Sequence, residues 1–222
     1  WPASDSLKAP PSMQQYTSES LLPCQATKTK KTKQLMRRHF GKAGSEPVWQ
    51  TANRLRPNTL PPHLTGWLLD DSSLTRRLKQ ACDGRFAVRV LRQRWAVPMG
   101  CETEALKLPL RRRAMVREVL LLCDDTPWVF ARTVIPKRTM RGSGGRLAFL
   151  GNRPLGEILF RDPKAQRGSL EVSQVTPAVL GLESSESSVW GRRSVFRLSG
   201  RPLLVSEYFI GELPSFPCDR SY

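Results

Sequence analysis

Three charged residues stand in strand-like rows that are otherwise apolar. In "SGRPLLVSEYF", counting by twos puts Glu207 on one face with Leu203, Val205 and Phe209. In "AMVREVLLLC", Arg117 shares a face with Met115, Val119 and Leu121, and in "WVFARTVIP" Arg132 shares one with Trp128, Phe130 and Val134. A charge is costly to bury unless something meets it. A guanidinium stays charged when desolvated and grips a carboxylate through two parallel bonds. Two buried arginines therefore suit a small dicarboxylic acid, and a carboxylate beside them can accept a hydrogen bond or move a proton. The same charges also fit a plainer role. Glu207 could pair with Arg117 or Arg132 in the core for register alone, or each could turn outward at a sheet edge. The pattern leaves these open and names no substrate.

The elements that must position these residues read as strands with a few helices. Two short helices are expected over about 61–69 and 73–82, the second capped by Ser72 or Ser73 with Leu74 and Leu78 on its inner face. Residues 85–97 alternate as a strand, and "EALKLPLRRR" is a loop broken by proline. Strands over 114–123 and 128–136 are joined by the turn Asp124-Asp125-Thr126-Pro127. Gly142–Gly145 is a flexible loop, "RPLGEILF" turns into a short helix, and 184–189 is a loop before a hairpin that turns at Ser199-Gly200-Arg201-Pro202. About five antiparallel strands with few helices make an α+β fold rather than a βαβ one.

At 222 residues the chain suits one domain and a tail. Residues 1–45 mix Ser, Thr, Pro, Gln and Lys with little apolar periodicity and are expected to be a disordered basic tail. The domain then covers 46–222. No apolar run long enough to cross a membrane is present and no leader stands at the start, so a cytoplasmic protein is expected. The five cysteines are widely spaced and the two histidines lie near the tail, so the chain is read as reduced and free of metal. A net charge of +17 raises the question of nucleic acid, but the excess is spread along the chain. Weak, salt-sensitive adhesion to polyanions is expected, and no specific nucleic-acid partner. No apolar stripe asks for a second subunit, so the expectation is a monomer.

Four stretches say more. "WLLDDSSLTRRL" at 67–78, "VREVLLLC" with "PWVFARTVIP" at 116–136, "GNRPLGEILF" at 151–160 and "WGRRSVFRLSGRPLLVSEYF" at 190–209 resemble the chorismate lyase family in order and spacing. The resemblance spans roughly residues 60–215. It implies an antiparallel β-sheet flanked by a few helices and enclosing one small buried pocket. It also implies elimination of pyruvate from chorismate to give 4-hydroxybenzoate, the first committed step toward ubiquinone, with no cofactor. The family's ligand-binding arginine falls on Arg117 and its C-terminal glutamate on Glu207. Its "PLG" leucine falls on Leu155, whose backbone is expected to touch the ligand, and a further contact falls on Leu74. Arg132 matches a position expected to be a second carboxylate anchor. At fold level the chain also resembles effector-binding domains of some bacterial transcription regulators, which gives a second reading, a non-catalytic sensor of small acids. Such regulators carry a helix-turn-helix domain ahead of the sensor, and residues 1–44 are too short and irregular for one.

Overall fold

A computed structural model of the chain describes residues 46–56, 58–183, 186–214 and 216. The expected tail lies outside these residues. The strands are β1 (Gln50–Thr51), β2 (Phe86–Ala96), β3 (Ala114–Cys123), β4 (Thr126–Pro136), β5 (Ala165–Arg167), β6 (Glu171–Val175), β7 (Val189–Leu198) and β8 (Arg201–Phe209). They form one antiparallel sheet in the order β1-β6-β7-β8-β4-β3-β2, with β5 also paired to β7. The helices are α1 (Pro62–Leu69), α2 (Leu74–Ala81), α3 (Gly100–Ala105), α4 (Lys137–Met140) and α5 (Leu155–Arg161). The α+β reading holds. No helix among the described residues is long and apolar enough to cross a membrane.

Both faces of the sheet are covered, which is why β3 and β4 are apolar along most of their length. On the first face α1 and α2 lay Leu64, Trp67, Leu68, Leu74 and Leu78 against Val119, Leu121, Val129 and Phe209. Further along that face, α5 packs Leu155 and Leu159 against Phe196 and Leu203. On the second face Leu180 and Leu182 cover Leu120, Phe130 and Tyr208, and Leu106 covers Val116, Val134 and Leu204.

The hairpin turns are tighter than the sequence reading has them. Asp124 and Asp125 have φ of 45° and 63°, and Ser199 and Gly200 have 49° and 76°. These are two-residue loops of the kind that suits the twist of a hairpin. Thr126-Pro127 and Arg201-Pro202 already belong to β4 and β8. Gly142–Phe149 forms a 3-10 helix rather than an open loop, and α3, α4, β1, β5 and β6 are further elements.

One expectation is overturned outright. Cys82 and Cys123 form a disulfide, so the chain is not wholly reduced. The cause is register: Phe86 pairs with Cys123 across β2–β3, and only a short turn separates Phe86 from Cys82 at the end of α2. The two cysteines are thereby brought to a Cα–Cα distance of 5.7 Å, within disulfide range. Cys101 is a free, half-buried thiol whose pKa burial pushes up to about 11. Cys24 and Cys218 lie outside the described residues.

Candidate active site

A β-bulge decides which charges share the site. The two-residue loop pairs Cys123 with Thr126, and continued without a break that register would set Arg117 opposite Arg132. The register slips by one between Leu121 and Leu122, leaving Trp128 as the extra residue, so that Glu118 faces Arg132 and Arg117 faces Thr133. One residue of slip moves everything beyond it to the other face. Trp128 joins the first face, so of the expected row Trp128, Phe130, Arg132, Val134 the last three stay together, on the second face.

Arg117 therefore lies on the first face, 3% exposed. Its Nη1 donates to Gln93 Oε1 at 2.8 Å, and its Nη2 to the carbonyls of Gly151 at 2.7 Å and Arg153 at 3.4 Å. Gly151 holds φ at +52°, a conformation that glycine adopts without strain, and this aims its carbonyl at the guanidinium. None of these acceptors is a carboxylate, and burial lowers the pKa of Arg117 from the ordinary arginine value.

Glu207 lies on the same face, and its partner is neither Arg117 nor Arg132. It faces Arg192 directly across β7–β8, and Arg192 Nε donates to Glu207 Oε2 at 2.8 Å. Arg192 is 1% exposed and also donates through Nη1 to the carbonyls of Trp67 and Asp70, at 2.7 and 2.6 Å. These carbonyls close the C-terminal end of α1, where a cation is favourable. Arg192 thus ties α1 to the sheet and fixes one oxygen of Glu207. The hairpin shows how the sequence could have disclosed it: a loop of Ser199-Gly200 alone pairs Leu198 with Arg201, and counting on pairs Arg192 with Glu207.

Arg167 is the other residue missed. It sits on β5 across from Phe196, with its guanidinium carbon 5.6 Å from that ring's centre. Its Nε donates to Ser194 Oγ at 3.0 Å and its Nη1 to the Asp71 carbonyl at 2.7 Å. Burial and the neighbouring Arg192 lower its pKa, against the pull of Glu207 and of Asp71 and Asp70.

These residues surround a cavity of about 30 Å³ lined by Leu74, Gly156, Arg167, Arg192, Val205 and Glu207, among others. Leu74 opens α2 and Gly156 lies in the first turn of α5. The two helices meet closely here, since a Cβ on Gly156 would come within 2.9 Å of Thr75 Oγ1. Of the expected site residues, Glu207 and Leu74 line this cavity directly. Arg117 lies on the same face, and Leu155 is buried one residue before Gly156; neither belongs to the lining.

Arg132 is not brought to this cavity. It is 5% exposed on the second face, where Nε and Nη2 donate to the two oxygens of Glu102 at 2.6 and 3.0 Å and Nη1 donates to Glu118. Burial alone would lower its pKa, but Glu102 and Glu118 more than offset this and raise it. The bulge thus sets Arg132 on the face opposite Arg117 rather than beside it.

The residues 43–216 match the family model described as chorismate lyase. The chain belongs to the chorismate lyase family. It is 46% identical over 159 residues to the "Probable chorismate pyruvate-lyase" of Methylococcus capsulatus, covering 69% of this chain and 98% of that one. It is 38% identical over 160 residues to the "Chorismate pyruvate-lyase" of Pectobacterium atrosepticum, covering 72% and 84%. Among solved structures it resembles a GntR-family transcriptional regulator from Bacillus cereus, with a TM-score of 0.45 at 10% identity over 62% of this chain and 98% of that one. The regulator from Enterococcus faecalis gives 0.40 at 18% identity, over 59% and 93%. For this member of the chorismate lyase family, the charges to be explained on the first face are Arg117, Arg167 and the Arg192–Glu207 pair.

Proposed function

We propose that this chain eliminates pyruvate from chorismate to give 4-hydroxybenzoate, as a cytoplasmic monomer supplying the first step toward ubiquinone without a cofactor. The observation that carries this reading is Arg117, a buried guanidinium bonded only to neutral oxygens among the described residues. Such a group gains most from an incoming carboxylate. The ring carboxylate is assigned to it, and the backbone at Leu155 and the Leu74 side chain are assigned to the ring.

The reaction breaks the bond between the ring and the enolpyruvyl oxygen, which leaves with the electron pair. The ring loses the proton from its hydroxyl-bearing carbon and becomes aromatic, and the released enolpyruvate takes up a proton on its methylene carbon. Aromatisation makes this strongly downhill, so the protein's part is chiefly orientation and electrostatics. Arg192 occupies Glu207 Oε2, and no donor among the described residues bonds Oε1. Oε1 is assigned to the ring hydroxyl or to the departing proton. An apolar cavity of about 150 Å³ is of the size that takes benzene, so α2 and α5 must draw apart for the ring to enter.

The test is Glu207→Gln, followed by the ultraviolet absorbance of 4-hydroxybenzoate at saturating chorismate. Arg192 keeps its two carbonyls and the glutamine oxygen but loses its carboxylate, so the empty variant should melt lower than the parent, and turnover is compared per folded molecule. Turnover should fall about 10²–10⁴-fold if the residue moves a proton, and less if it only accepts a hydrogen bond, since glutamine retains an acceptor. No product from the parent enzyme would overturn the function, and full turnover by the variant would remove Glu207 from it.

A further inference from the structure

Four buried arginines, Arg117, Arg132, Arg192 and Arg193, and the half-buried Arg167 sort by what they hold. Arg132 holds Glu102 and Glu118, Arg192 holds Glu207, and Arg193 holds Glu171. Arg117 and Arg167 hold only neutral oxygens. Both serve the first face, and the register shows how they stand to one another. Arg117, Thr133, Val205 and Ser194 pair in succession across β3, β4, β8 and β7, forming one row across the sheet. Arg117 begins this row, and Ser194 ends it by accepting a hydrogen bond from Arg167. Three strand spacings separate the ends, about 14 Å. The gap that a substituted ring needs over Thr133 and Val205 opens only when α2 and α5 draw apart, since the cavity present is about 30 Å³. Glu207 stands beside that gap, two residues beyond Val205 on the same face, and Arg167, Val205 and Glu207 line the same cavity.

We propose that Arg167, held by Ser194 and lying over the Phe196 ring, binds the carboxylate of the enolpyruvyl group, the one that departs with the leaving group. This rests on the chorismate reading and goes beyond it by giving the two substrate carboxylates separate arginines. Arg117 keeps the carboxylate that remains on the ring, and Arg167 takes the other. Ser194 occupies its Nε and the Asp71 carbonyl its Nη1, which leaves Nη2 as the nitrogen that meets the ligand. When the ring–oxygen bond breaks, the electron pair stays with an enolpyruvate whose carboxylate Arg167 already neutralises. Arg132 cannot take this part, because both oxygens of Glu102 and one of Glu118 already fill its fork on the opposite face.

The division of labour predicts a dissociation between substrate and product, because 4-hydroxybenzoate has lost the carboxylate assigned to Arg167. The experiment measures KM for chorismate and the inhibition constant of 4-hydroxybenzoate in the full chain and in Arg167→Gln, Arg167→Lys and Arg117→Gln. Arg167→Gln should raise KM roughly tenfold to a hundredfold, the range for a hydrogen bond to a charged group, and leave the product's inhibition constant near the parent's. Arg167→Lys keeps the charge without the fork and should fall between the two in KM, again with product inhibition unchanged. Arg117→Gln should raise both constants together. An unchanged KM in Arg167→Gln overturns the proposal. So does a product inhibition constant that rises in step with KM, because a residue that merely shapes the cavity would disturb both ligands. If Arg167→Gln does not fold, Arg167→Lys decides by the same two constants. A parent enzyme that turns over chorismate while its Arg167 variants behave like it defeats this assignment alone. A parent that yields no 4-hydroxybenzoate defeats the function, and this assignment with it.

Discussion

Arg132 on the second face of the sheet and Arg117 on the first are both buried and are held in opposite ways. On the second face Arg132 ends on carboxylates, clasped by Glu102 in two bonds and by Glu118 in a third, while Glu118 also accepts from Arg92 Nε at 2.6 Å. Two cations meet two anions, and the cluster is formally neutral. Glu102 serves a second purpose there, accepting from the Met99 amide at the start of α3 at 2.9 Å. On the first face Arg117 and Arg167 end on an amide, a hydroxyl and backbone carbonyls. An acid approaching Arg132 would have to displace a glutamate, whereas one approaching Arg117 meets a buried guanidinium bonded only to neutral oxygens among the described residues. Burial of an arginine thus says little about binding by itself. What its nitrogens are bonded to says much more.

The strongest way to break this comparison is to cut the second-face cluster. Arg132→Met should leave two buried glutamates short of a cation and cost about 3–5 kcal/mol, a fall in melting temperature of roughly 10 °C. The kcat per folded molecule should stay near the parent's. A variant of unchanged melting temperature and collapsed turnover would place Arg132 in the chemistry and erase the contrast.

Arg117→Ala probes the first face and should behave the other way round. Losing a charge-assisted hydrogen bond of about 1.5–3 kcal/mol to substrate lowers kcat/KM roughly tenfold to a hundredfold. The empty protein should melt close to the parent, since no carboxylate among the described residues is left without its cation. Arg117→Lys should recover little, because a point charge does not reproduce the fork. Full activity in the lysine variant would show that the neutral oxygens around Arg117 do not hold a bidentate site in reserve.

The smallest effect belongs to the rim of the first face. Asp70 accepts from the Ser72 amide at 3.1 Å, the Ser72 hydroxyl at 2.7 Å and Arg77 at 3.2 Å. Burial alone would raise its pKa, but Ser72 and the charges of Arg77 and Arg192 more than offset this and hold it below the ordinary carboxylate value. A depressed pKa in the folded state means that the unfolded chain takes up the proton first. The stabilisation is therefore present above the unfolded value near pH 4 and is lost as the pH falls through the folded one. Asp70→Asn should melt slightly lower than the parent at pH 7, with the gap closing below about pH 4. A gap that persists in acid would mean that the carboxylate's charge has no part in it.

Much of this arrangement is legible in the sequence, and the failures have identifiable causes. Period-two counting finds β3, β4, β7 and β8, and finds that Arg117 and Glu207 lie on apolar rows. Counting within a strand cannot tell which rows of neighbouring strands share a face, because that depends on register. A single extra residue, Trp128, sends Arg132 away from Arg117. The pairing of Arg192 with Glu207 was within reach once Ser199-Gly200 is taken as a loop of two residues. Arg167 was not. It lies on a three-residue strand with almost no periodic signal, and its place depends on the long-range pairing of β5 with β7. The disulfide likewise joins residues 41 apart in sequence, through the pairing of β2 with β3.

That bridge has a mechanical consequence for the cover of the site. It fastens the C-terminal end of α2 to the last residue of β3, while the N-terminal end of α2, at Leu74, lies over the cavity. A helix tethered at one end cannot lift away from the sheet as a rigid plank; it can only pivot. Leu78, nearest the tether, stays close to its contacts on the sheet, and Leu74 and Ser72 can sweep an arc only once the bonds from Arg192 and Arg167 to the Asp70 and Asp71 carbonyls give way. Entry to the cavity is then a swing about a fixed post, with its greatest clearance at the end where Arg167 and Glu207 wait.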